Sequence, residues 1–324
     1  MYYVLPLAGD DRRFLYHLLT YLPLKSLNAA TGVPGLSRRD AYALRGAFPP
    51  PDEQAAIARI LDAVDTAIER TRAAVERARE VKRTCLQRFF YDALGETAYA
   101  DRPRRRLPHG WSLLPTRQLL AGDPKNGLSP ESSTQPPGIP TFSIAAIRDG
   151  RVDLETREHL EYARAEEEST ARYRIHHGDV LIVRGNANPD LVGKAGIVER
   201  FPDGCIYPDI TMRVGFRSDD APRVSAAFAV LAWNHAVVHN QVLRRAKTSN
   251  GTLKINSRDV NQIVLPIPPD EAQAELFRSV EAINALIASL ITVGEAREQL
   301  KKSLMHDLLT GRVRVRDPAK VTAS

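Results

Sequence analysis

An internal repeat constrains this chain more than any other feature. When the sequence is shifted against itself by 219 residues, Thr31–Leu94 aligns with Asn250–Val313 without a gap, and 12 of the 64 pairs are identical. Two amphipathic helices can share apolar spacing by chance, but shared turn and cap residues are harder to explain in that way. The identical pairs include Gly32 with Gly251, Arg39-Asp40 with Arg258-Asp259, Pro49-Pro50 with Pro268-Pro269, and Gln54 with Gln273.

Each copy ends in a sequence typical of a long helix. Paired prolines and then acids suit a helix start, because Pro needs no N–H there and acids oppose the positive end of the helix dipole. Apolar residues then alternate at spacings of four and three, as in a coiled coil, so one stripe can bury the other. We predict helices over about residues 52–93 and 270–310, the first roughly 60 Å long at 1.5 Å per residue. The first stripe is Ile57, Leu61, Val64, Ile68, Thr71, Val75, Ala78, Lys82, Cys85 and Phe89, with polar interruptions at Thr71 and Lys82; the second is Leu276, Val280, Ile283, Ile287, Leu290, Leu304 and Leu308, with a break at Gly294 and Arg297.

The sequence between the helices differs in kind. The short apolar runs TFSIAAI, DVLIVRG, KAGIVE and ITMRVGF predict strands, and one helix is predicted near RVSAAFAVLAWNHAVVHNQVLRRA. We therefore expect an α+β protein with one compact α/β module. By the repeat, a similar module should precede the first helix, but roughly a hundred of its residues are missing from the front. The predicted organisation is 1–48 remnant of a first module, 49–95 first helix, 96–103 linker, 104–264 complete module, 265–313 second helix and 314–324 tail.

Composition narrows the compartment and the partner. Lys and Arg exceed Asp and Glu by 45 − 39 = 6, and this basic balance favours a polyanionic partner. The two cysteines, Cys85 and Cys205, follow no metal-ligand spacing and cannot form a disulfide framework, which favours a reducing cytoplasm. No uninterrupted apolar run approaches the roughly 18 residues that span a bilayer, so we expect neither secretion nor membrane insertion.

The order of these segments resembles the specificity (S) subunit of type I restriction-modification systems. The resemblance rests on LPHGW, which opens the module, KNGLSP and IPTFSIAAIRDGRVD after it, and HHGDVLIVRGN with VGKAGIV in the middle. It continues in NGTLKINSRDVNQIVLPIPPDEAQ, which closes the module, and in LKKSLMHDLLTGRVRV near the end. No one of these motifs is diagnostic alone, but together they span nearly the whole chain. This chain departs from the family pattern in its truncated first target recognition domain.

The resemblance implies a function and a set of partners. In this family two target recognition domains each read half of a split DNA sequence, and two long helices pack as an antiparallel coiled coil that separates them. The helices also dock methyltransferase (M) subunits, which recruit restriction (R) subunits. The implied protein is non-catalytic, binds double-stranded DNA and carries no cofactor, while S-adenosylmethionine, ATP and Mg belong to the partner subunits. The truncation leaves three arrangements open: a homodimer through the spacer helices, pairing with another S chain, or a start that precedes Met1.

Polar residues on predicted turns of the module are the candidates for DNA contact. Bases are read by polar side chains in a groove, and phosphates are held by Lys and Arg. Each candidate alone could equally be a solvated turn residue, whereas the set favours DNA contact. The candidates are Lys125, Asn126 and Ser129; Arg184, Asn186, Asn188 and Lys194; and Lys247, Thr248, Ser249, Asn250 and Lys254.

Other features favour structural interpretations. The basic run Arg102–Arg106 is more typical of a solvated linker than of a phosphate site. His176-His177 lack a second ligand pair at metal spacing and indicate a turn at a strand edge. Trp111 and Trp233 are expected in the core.

The sequence motifs do not favour a catalytic function. Asn188–Leu191 lacks the second proline and the aromatic of an amino-methyltransferase motif, the chain has no Gly-Lys-Ser/Thr phosphate loop, and Glu80–Lys82 lies on a predicted helix instead of in a nuclease sheet. The alternative from another class is a coiled-coil scaffold or antagonist that occupies the methyltransferase without reading sequence.

Overall fold

The computed structural model describes residues 4–27, 35–155, 157–217, 223–249 and 251–315. These fall into two compact units, the first from residues 1–81 and 283–324 and the second from residues 82–282. The helices and sheets confirm the α+β class, whereas the module boundaries drawn from the sequence stay predictions.

The described residues form the following elements. The helices are α1 (Arg12–Tyr21), α2 (Arg38–Ala43), α3 (Pro51–Leu94), α4 (Glu167–Thr170), α5 (Ala226–Asn234), α6 (Ala236–Arg245), α7 (Ser257–Asn261) and α8 (Asp270–Leu309). The strands are β1 (Ser112–Pro115), β2 (Lys125–Asn126), β3 (Ser132–Ser133), β4 (Ile139–Phe142), β5 (Ile147–Arg148), β6 (Arg151–Asp153), β7 (Leu160–Ala163), β8 (Val180–Val183), β9 (Gly185–Asn186), β10 (Ala195–Arg200), β11 (Thr211–Val214), β12 (Lys247–Ser249), β13 (Thr252–Lys254) and β14 (Val264–Ile267).

The second unit is built around a six-stranded mixed sheet with the order β2-β11-β8-β10-β6-β5. Strand β8 is buried along its whole length, as its uninterrupted apolar sequence Val-Leu-Ile-Val predicts. It pairs antiparallel with both β10 and β11, while β10 pairs parallel with β6. One face of this sheet packs against Phe228 and Trp233 of α5, which are 0% and 2% exposed.

Two local predictions for this unit were wrong. The single helix expected near residues 223–246 is two helices, α5 and α6, separated at His235, whose backbone is extended at φ −73° and ψ 146°. The His235 ring caps α6, because its Nδ1 accepts from the N–H of Val237 at 3.4 Å. The strand expected over Thr141–Ile147 ends at Phe142 and is followed by one turn of 3-10 helix at Ile144–Ala146.

The first unit is helical in its described residues. The apolar core joins Phe14 of α1 to Ile57 and Leu61 near the start of α3, and to Met305 and Leu308 near the end of α8. Residue numbers fall along α8 as they rise along α3, so the helices pair antiparallel. The first predicted stripe is confirmed at Leu61, Ile68, Val75 and Ala78, which are buried. In α8 the stripe is only partly confirmed, because Met305 and Leu309 are buried beside it while Leu304 is half-buried.

The polar interruptions of the two stripes meet each other. Arg297, at the predicted break in α8, donates from Nη1 to the carbonyl of Ala67 at 3.0 Å and to the hydroxyl of Thr71. Lys301 lies 2.5 Å from the carboxylate of Asp65. A polar layer of this kind specifies which residues of two paired helices face each other, so the interruptions fix the register of the pair.

The repeat is visible as one hydrogen-bonded lock made twice. In the first unit the buried amide of Gln54 accepts from the N–H of Asp11 at 2.9 Å and donates to the carbonyl of Pro49 at 2.9 Å. In the second unit Gln273 accepts from the N–H of Ser225 at 3.2 Å and donates to the carbonyl of Pro268 at 3.1 Å. Each glutamine therefore ties its own long helix to the start of α1 or of α5.

The helix caps extend this equivalence. Asp11 caps α1 by accepting from Phe14, and Ser225 caps α5 by accepting from Phe228. Both phenylalanines are fully buried. The described part of the first unit thus contains counterparts of α5 and α8.

Helix α8 contains an 18-residue window of mean hydropathy 1.5, so its length and composition alone would allow it to cross a membrane. One such helix is weak evidence, because a helix with an apolar packing stripe passes the same test. Leu276 and Val280 of this helix are buried in the core of the second unit. The window contains the charged residues Arg278 and Glu281, so it is not an uninterrupted apolar run. It therefore agrees with the sequence analysis, which found no such run.

Candidate nucleic-acid interface

The first group of predicted contact residues lies on a loop held close to the main sheet. Lys125 and Asn126 form β2, which pairs with Arg213 and Met212 of β11. The next residue, Gly127, passes so near the backbone that an added Cβ would lie 2.3 Å from the carbonyl oxygens of Tyr207 and Pro208. Only glycine fits there, so the loop keeps a fixed path and leaves the side chains of Lys125, Asn126 and Ser129 exposed.

The second and third groups meet on a small three-stranded sheet with the order β12-β13-β9. Asn186 of β9 pairs with Leu253, and the hairpin of β12 and β13 places Lys247 opposite Lys254 and Ser249 opposite Thr252. Thr248 lies between them and is exposed. Asn250 lies outside the described residues. The fold therefore joins two residue groups that are about sixty positions apart in the sequence.

The small sheet adjoins the β2 loop. The N–H of Arg184 donates to the carbonyl of Ile210 at 2.7 Å, just before β11 begins. Beyond β13, the hydroxyl of Ser257 donates to the carbonyl of Pro124 at 2.9 Å. The first bond links the residues just before β9 and β11, and the second links Pro124, next to Lys125, to Ser257, three positions after Lys254.

The electrostatics of this surface are unbalanced. Lys247 and Lys254 are both exposed and directly opposite across an antiparallel pair, where Cβ atoms are about 5 Å apart and like charges repel. Neither lysine, nor Lys125, forms an ion pair with any residue in the described part of the chain. A bound anion would relieve the repulsion, so the surface is suited to phosphate.

The two asparagines shape their loop as well as presenting polar groups. The Oδ1 of Asn186 accepts from the N–H of Asn188 at 2.8 Å, and the Oδ1 of Asn188 accepts from the N–H of Asp190 at 3.0 Å. These successive Asx turns use the carbonyl end of each side chain. The Nδ2 groups are therefore the ends that can donate to a base.

Two predicted residues are held in other ways. The guanidinium of Arg184 lies 4.0 Å from the carboxylate of Asp209 and 3.5 Å from its carbonyl. Lys194 is half-buried beside α6, where burial and then the charge of Lys194 lower the pKa of His239. Neither residue is as open to a ligand as Lys247 and Lys254 are.

The comparisons with known proteins agree with one another. The chain is 26% identical over 267 residues to the Escherichia coli type I restriction enzyme EcoKI specificity subunit, covering 81% of this chain and 55% of that protein. It is 22% identical over 317 residues to the Methanocaldococcus jannaschii MjaVIII specificity subunit, covering 95% and 71%. The chain is a homologue of type I restriction enzyme specificity subunits. No family model matches it.

Solved structures agree on the fold. A structure of a type I restriction-modification system is similar at 17% identity and a TM-score of 0.53, covering 92% of this chain and 71% of that one. The S subunit from M. genitalium is similar at 13% identity and a TM-score of 0.52, covering 93% and 73%. The chain spans about half the length of several curated relatives that it matches.

The structure also shows the positions of Trp111, Trp233 and His176, for which the sequence predicted structural roles. Trp233 is 2% exposed and donates from Nε1 to the carbonyl of Gly193 at 2.6 Å, and Trp111 packs against Phe89. His176 lies in the turn before β8, where its N–H donates to Asp179 at 2.9 Å. The predictions for Trp233 and His176 are confirmed, whereas Trp111 is half-buried and packs against the core from outside.

Arg258 is a further candidate that the sequence analysis did not select. This exposed residue lies in the first turn of α7, directly after Ser257, whose hydroxyl donates to the carbonyl of Pro124 beside Lys125. It makes no ion pair within the described ranges. The signal that could have found it is the Arg-Asp pair shared by both repeat copies, in which the aspartate, Asp259, closes a capping box with Asn256 and leaves the arginine to solvent.

The first unit contains one cluster with the residue types of a metal site. The ligand atoms of His17, Asp62 and Asp65 lie within 4.8 Å of one another. Arg13 donates to both oxygens of Asp62 at 3.0 Å and, with His17 second, lowers the pKa of that carboxyl, while Lys301 neutralises Asp65. Because both carboxylates already have cationic partners, the cluster is an ion-pair network that holds α1 on α3.

Proposed function

We propose that this chain is a sequence-specific DNA-recognition subunit of a type I restriction-modification complex, whose complete module over residues 104–264 reads one half-site. The observation that carries the proposal is the pair of facing lysines without ion-pair partners, Lys247 and Lys254, which are exposed on the surface of the second unit. The loops around Asn186 and Asn188 supply amide groups of the type that read base edges. The relatives named above are specificity subunits, which supports the same function.

The long helices are the proposed spacer and the docking site for methyltransferase subunits. Leu286, Val293 and Leu300 of α8 recur every seven residues and are 53%, 39% and 51% exposed within the first unit. Neighbouring exposed apolar side chains on one helix are typical of a surface that a partner protein covers. Restriction subunits would join through the methyltransferase.

In this proposal the chain is non-catalytic and acts in the cytoplasm. S-adenosylmethionine, ATP and Mg belong to the partner subunits. The chain has no membrane role.

The test uses the double variant Lys247→Ala/Lys254→Ala. Each lysine that neutralises a phosphate contributes about one unit to the slope of log K against log salt. With double-stranded DNA of mixed sequence as the probe, we expect the slope to fall by about two units. The matched control is Lys25→Ala/Lys302→Ala, which removes two exposed lysines from the first unit and should leave the slope unchanged.

A second readout separates a reader from the scaffold alternative, which the exposed apolar face of α8 favours. The chain is co-expressed with a cognate methyltransferase subunit, and methylated adenines are mapped. A reader gives one reproducible motif that the lysine variant weakens while assembly persists. A scaffold assembles equally well and gives no motif with either chain, and that result would refute the reading function.

A further inference from the structure

The first unit contains an exposed copy of a strand that is covered in the second unit. Helix α2 is the repeat counterpart of α7, with Ser37 and Asn256 in the same capping position. Strand β14 follows α7, and at the shift of 219 residues its counterpart is Arg45–Phe48. This segment follows Leu44, whose backbone is extended at φ −64° and ψ 142°; it contains no helix, turn or bend, and it precedes α3 as β14 precedes α8. The two repeat copies therefore allow the same segment to be compared in the second unit, as β14, and in the first unit, as Arg45–Phe48.

In the second unit β1 covers one edge of β14. The pair is antiparallel, with Ser112 opposite Ile267 and Leu114 opposite Leu265. Just before β14, the N–H of Thr116 donates to the carbonyl of Ile263 at 2.7 Å. Bonding groups alternate along a strand, so residues 263, 265 and 267 face β1. Pro266 has no N–H and falls between them, as that alternation requires.

The counterpart edge in the first unit has no such cover. The groups equivalent to those that face β1 belong to Leu44, Gly46 and Phe48. Among the residues described, none hydrogen-bonds to the backbone of Gly46 or Phe48. Ile267 is 1% exposed, whereas Phe48 at the same repeat position is 54% exposed. An uncovered extended edge presents a row of donors and acceptors to another strand.

Packing holds this edge in place on its other side. A Cβ on Gly46 would lie 3.1 Å from a methyl carbon of Leu18, so Gly46 lies directly against α1. At the matching positions of the second unit the sizes are exchanged, with Ala232 on α5 and Leu265 on β14, both fully buried. Phe48 also packs edge-on against Phe14 at 5.7 Å. The segment is thus pre-ordered by a complementary pair of side chains and needs little ordering when it binds.

We propose that the edge of Arg45–Phe48 is a strand-addition site that takes, in antiparallel register, the extended segment opening a recognition module on a second polypeptide. The occupant is inferred from the chain itself, because in the second unit the same edge is covered by Ser112–Pro115. The proposal rests on the proposed function only in naming the occupant as part of a recognition module. Main-chain bonds supply the affinity in this mode of recognition, and alternate side chains supply the specificity.

The experiment measures hydrogen exchange of single amides in the full chain, with a synthetic peptide of residues 107–118 (LPHGWSLLPTRQ) as the probe. In the free chain the amides of Gly46 and Phe48 should exchange rapidly. With about 1 mM peptide both should slow by about tenfold and saturably, as mass action predicts when the edge is nine-tenths occupied. The amide of Ala47 points away from the edge and should not change.

Proline variants give a matched comparison. Ala47→Pro places proline where β14 already has Pro266, so binding should persist and the Gly46 amide should still slow. Phe48→Pro removes an N–H that faces the edge, so the protection of Gly46 should be lost. Phe48→Ala keeps that N–H and should retain most of the protection, which separates the backbone bond from the ring.

Three results would overturn the proposal. The first is no protection by the peptide in the wild-type chain. The second is slow exchange of Gly46 and Phe48 in the free monomer, which would mean that the chain covers its own edge. The third is undiminished protection of the Gly46 amide in Phe48→Pro, which would mean that the peptide does not bond to this edge. The lysine variants that test DNA reading lie in the other unit, so failure there leaves these outcomes unaffected.

Discussion

Replacing Gln273 by alanine should loosen the start of α5 more than any other part of the chain. The buried Gln273 amide accepts from the N–H of Ser225 at 3.2 Å and donates to the carbonyls of Arg223 at 2.8 Å and Pro268 at 3.1 Å. The variant Gln273→Ala removes all three hydrogen bonds and supplies no polar group in their place. Each lost neutral bond costs about 1 kcal/mol, so the total is about 3 kcal/mol.

The repeat supplies an internal comparison. Gln54 makes two bonds of the same kind in the described structure, both at 2.9 Å, to the N–H of Asp11 and the carbonyl of Pro49. Gln54→Ala should therefore cost about 2 kcal/mol and act on α1 instead of on α5. Hydrogen exchange of single amides distinguishes the two variants. Because 1.4 kcal/mol is a factor of ten, local opening at Ser225 should become more frequent by about a hundredfold in Gln273→Ala.

The control is Gln299→Ala, which removes an exposed glutamine from the same helix as Gln273 and should leave both exchange patterns unchanged. The reasoning fails if Gln273→Ala costs less than about 0.5 kcal/mol, the lower end for a single bond. It also fails if Gln54→Ala opens α5, because the two locks would then not be independent. A uniform increase in exchange across the whole chain would mean that the glutamine supports global folding and not one junction.

Three further predictions follow from single contacts. Arg297→Ala should lower the free energy of unfolding by about 1–2 kcal/mol in chemical denaturation, whereas Arg297→Leu with Thr71→Val should recover most of the loss, because both partners of the polar pair become apolar. Burial raises the pKa of Cys205 to about 12, so a thiol reagent at pH 8 should label Cys85 in the folded chain and leave Cys205 unlabelled until unfolding, as peptide mapping would show. Burial lowers the pKa of His235 from 6.5 to about 4; the unfolded chain therefore binds the extra proton first, and stability should fall by up to about 3 kcal/mol as the pH drops from 6.5 towards 4. His235→Asn keeps a cap for α6 and should flatten that decline, and an unchanged slope would assign it to other groups.

The long helices could be predicted closely because their signals are periodic and extend over many turns. The predicted range 52–93 compares with Pro51–Leu94, and 270–310 with Asp270–Leu309. Even the interruptions at Thr71 and Arg297 were visible as defects, although their meeting was not. A defect in one stripe gives no information about which residue of the other helix faces it.

The candidate interface was predicted only in part, because its strands are very short. Strands β9, β12 and β13 contain two or three residues each, too few to establish a period of two. The residue types and turns were therefore recognisable, but the sheet that brings Asn186 to Lys254 was not. The helix break at His235 was missed for a related reason, because neither glycine nor proline marks it and the cap is a histidine side chain.

The glutamine lock shows what a repeat can and cannot tell. Gln54 and Gln273 are related by 273 − 54 = 219 positions, whereas their partners Asp11 and Ser225 are related by 225 − 11 = 214. The second copy therefore has five more residues between the capped helix and the long helix. A gapless alignment cannot match both the glutamines and their hydrogen-bond partners. The partners also differ in residue type, an aspartate in one copy and a serine in the other. The side chain of each caps its helix, and the backbone N–H of each donates to the glutamine.

The described core of the first unit explains how a helix junction can exist apart from the sheets of a recognition module. Phe14, Ile57, Leu61 and Leu308 all come from helices, and the buried residues of their apolar cluster are helical as well. The equivalent junction in the second unit uses Phe228, Leu276 and Val280 in the same positions and adds β14 with its partner β1. Among the described residues the apolar contacts between the helices therefore form without a sheet. The backbone edge of Arg45–Phe48 is a separate feature, and hydrogen bonds from another strand can cover it without any change in the helices.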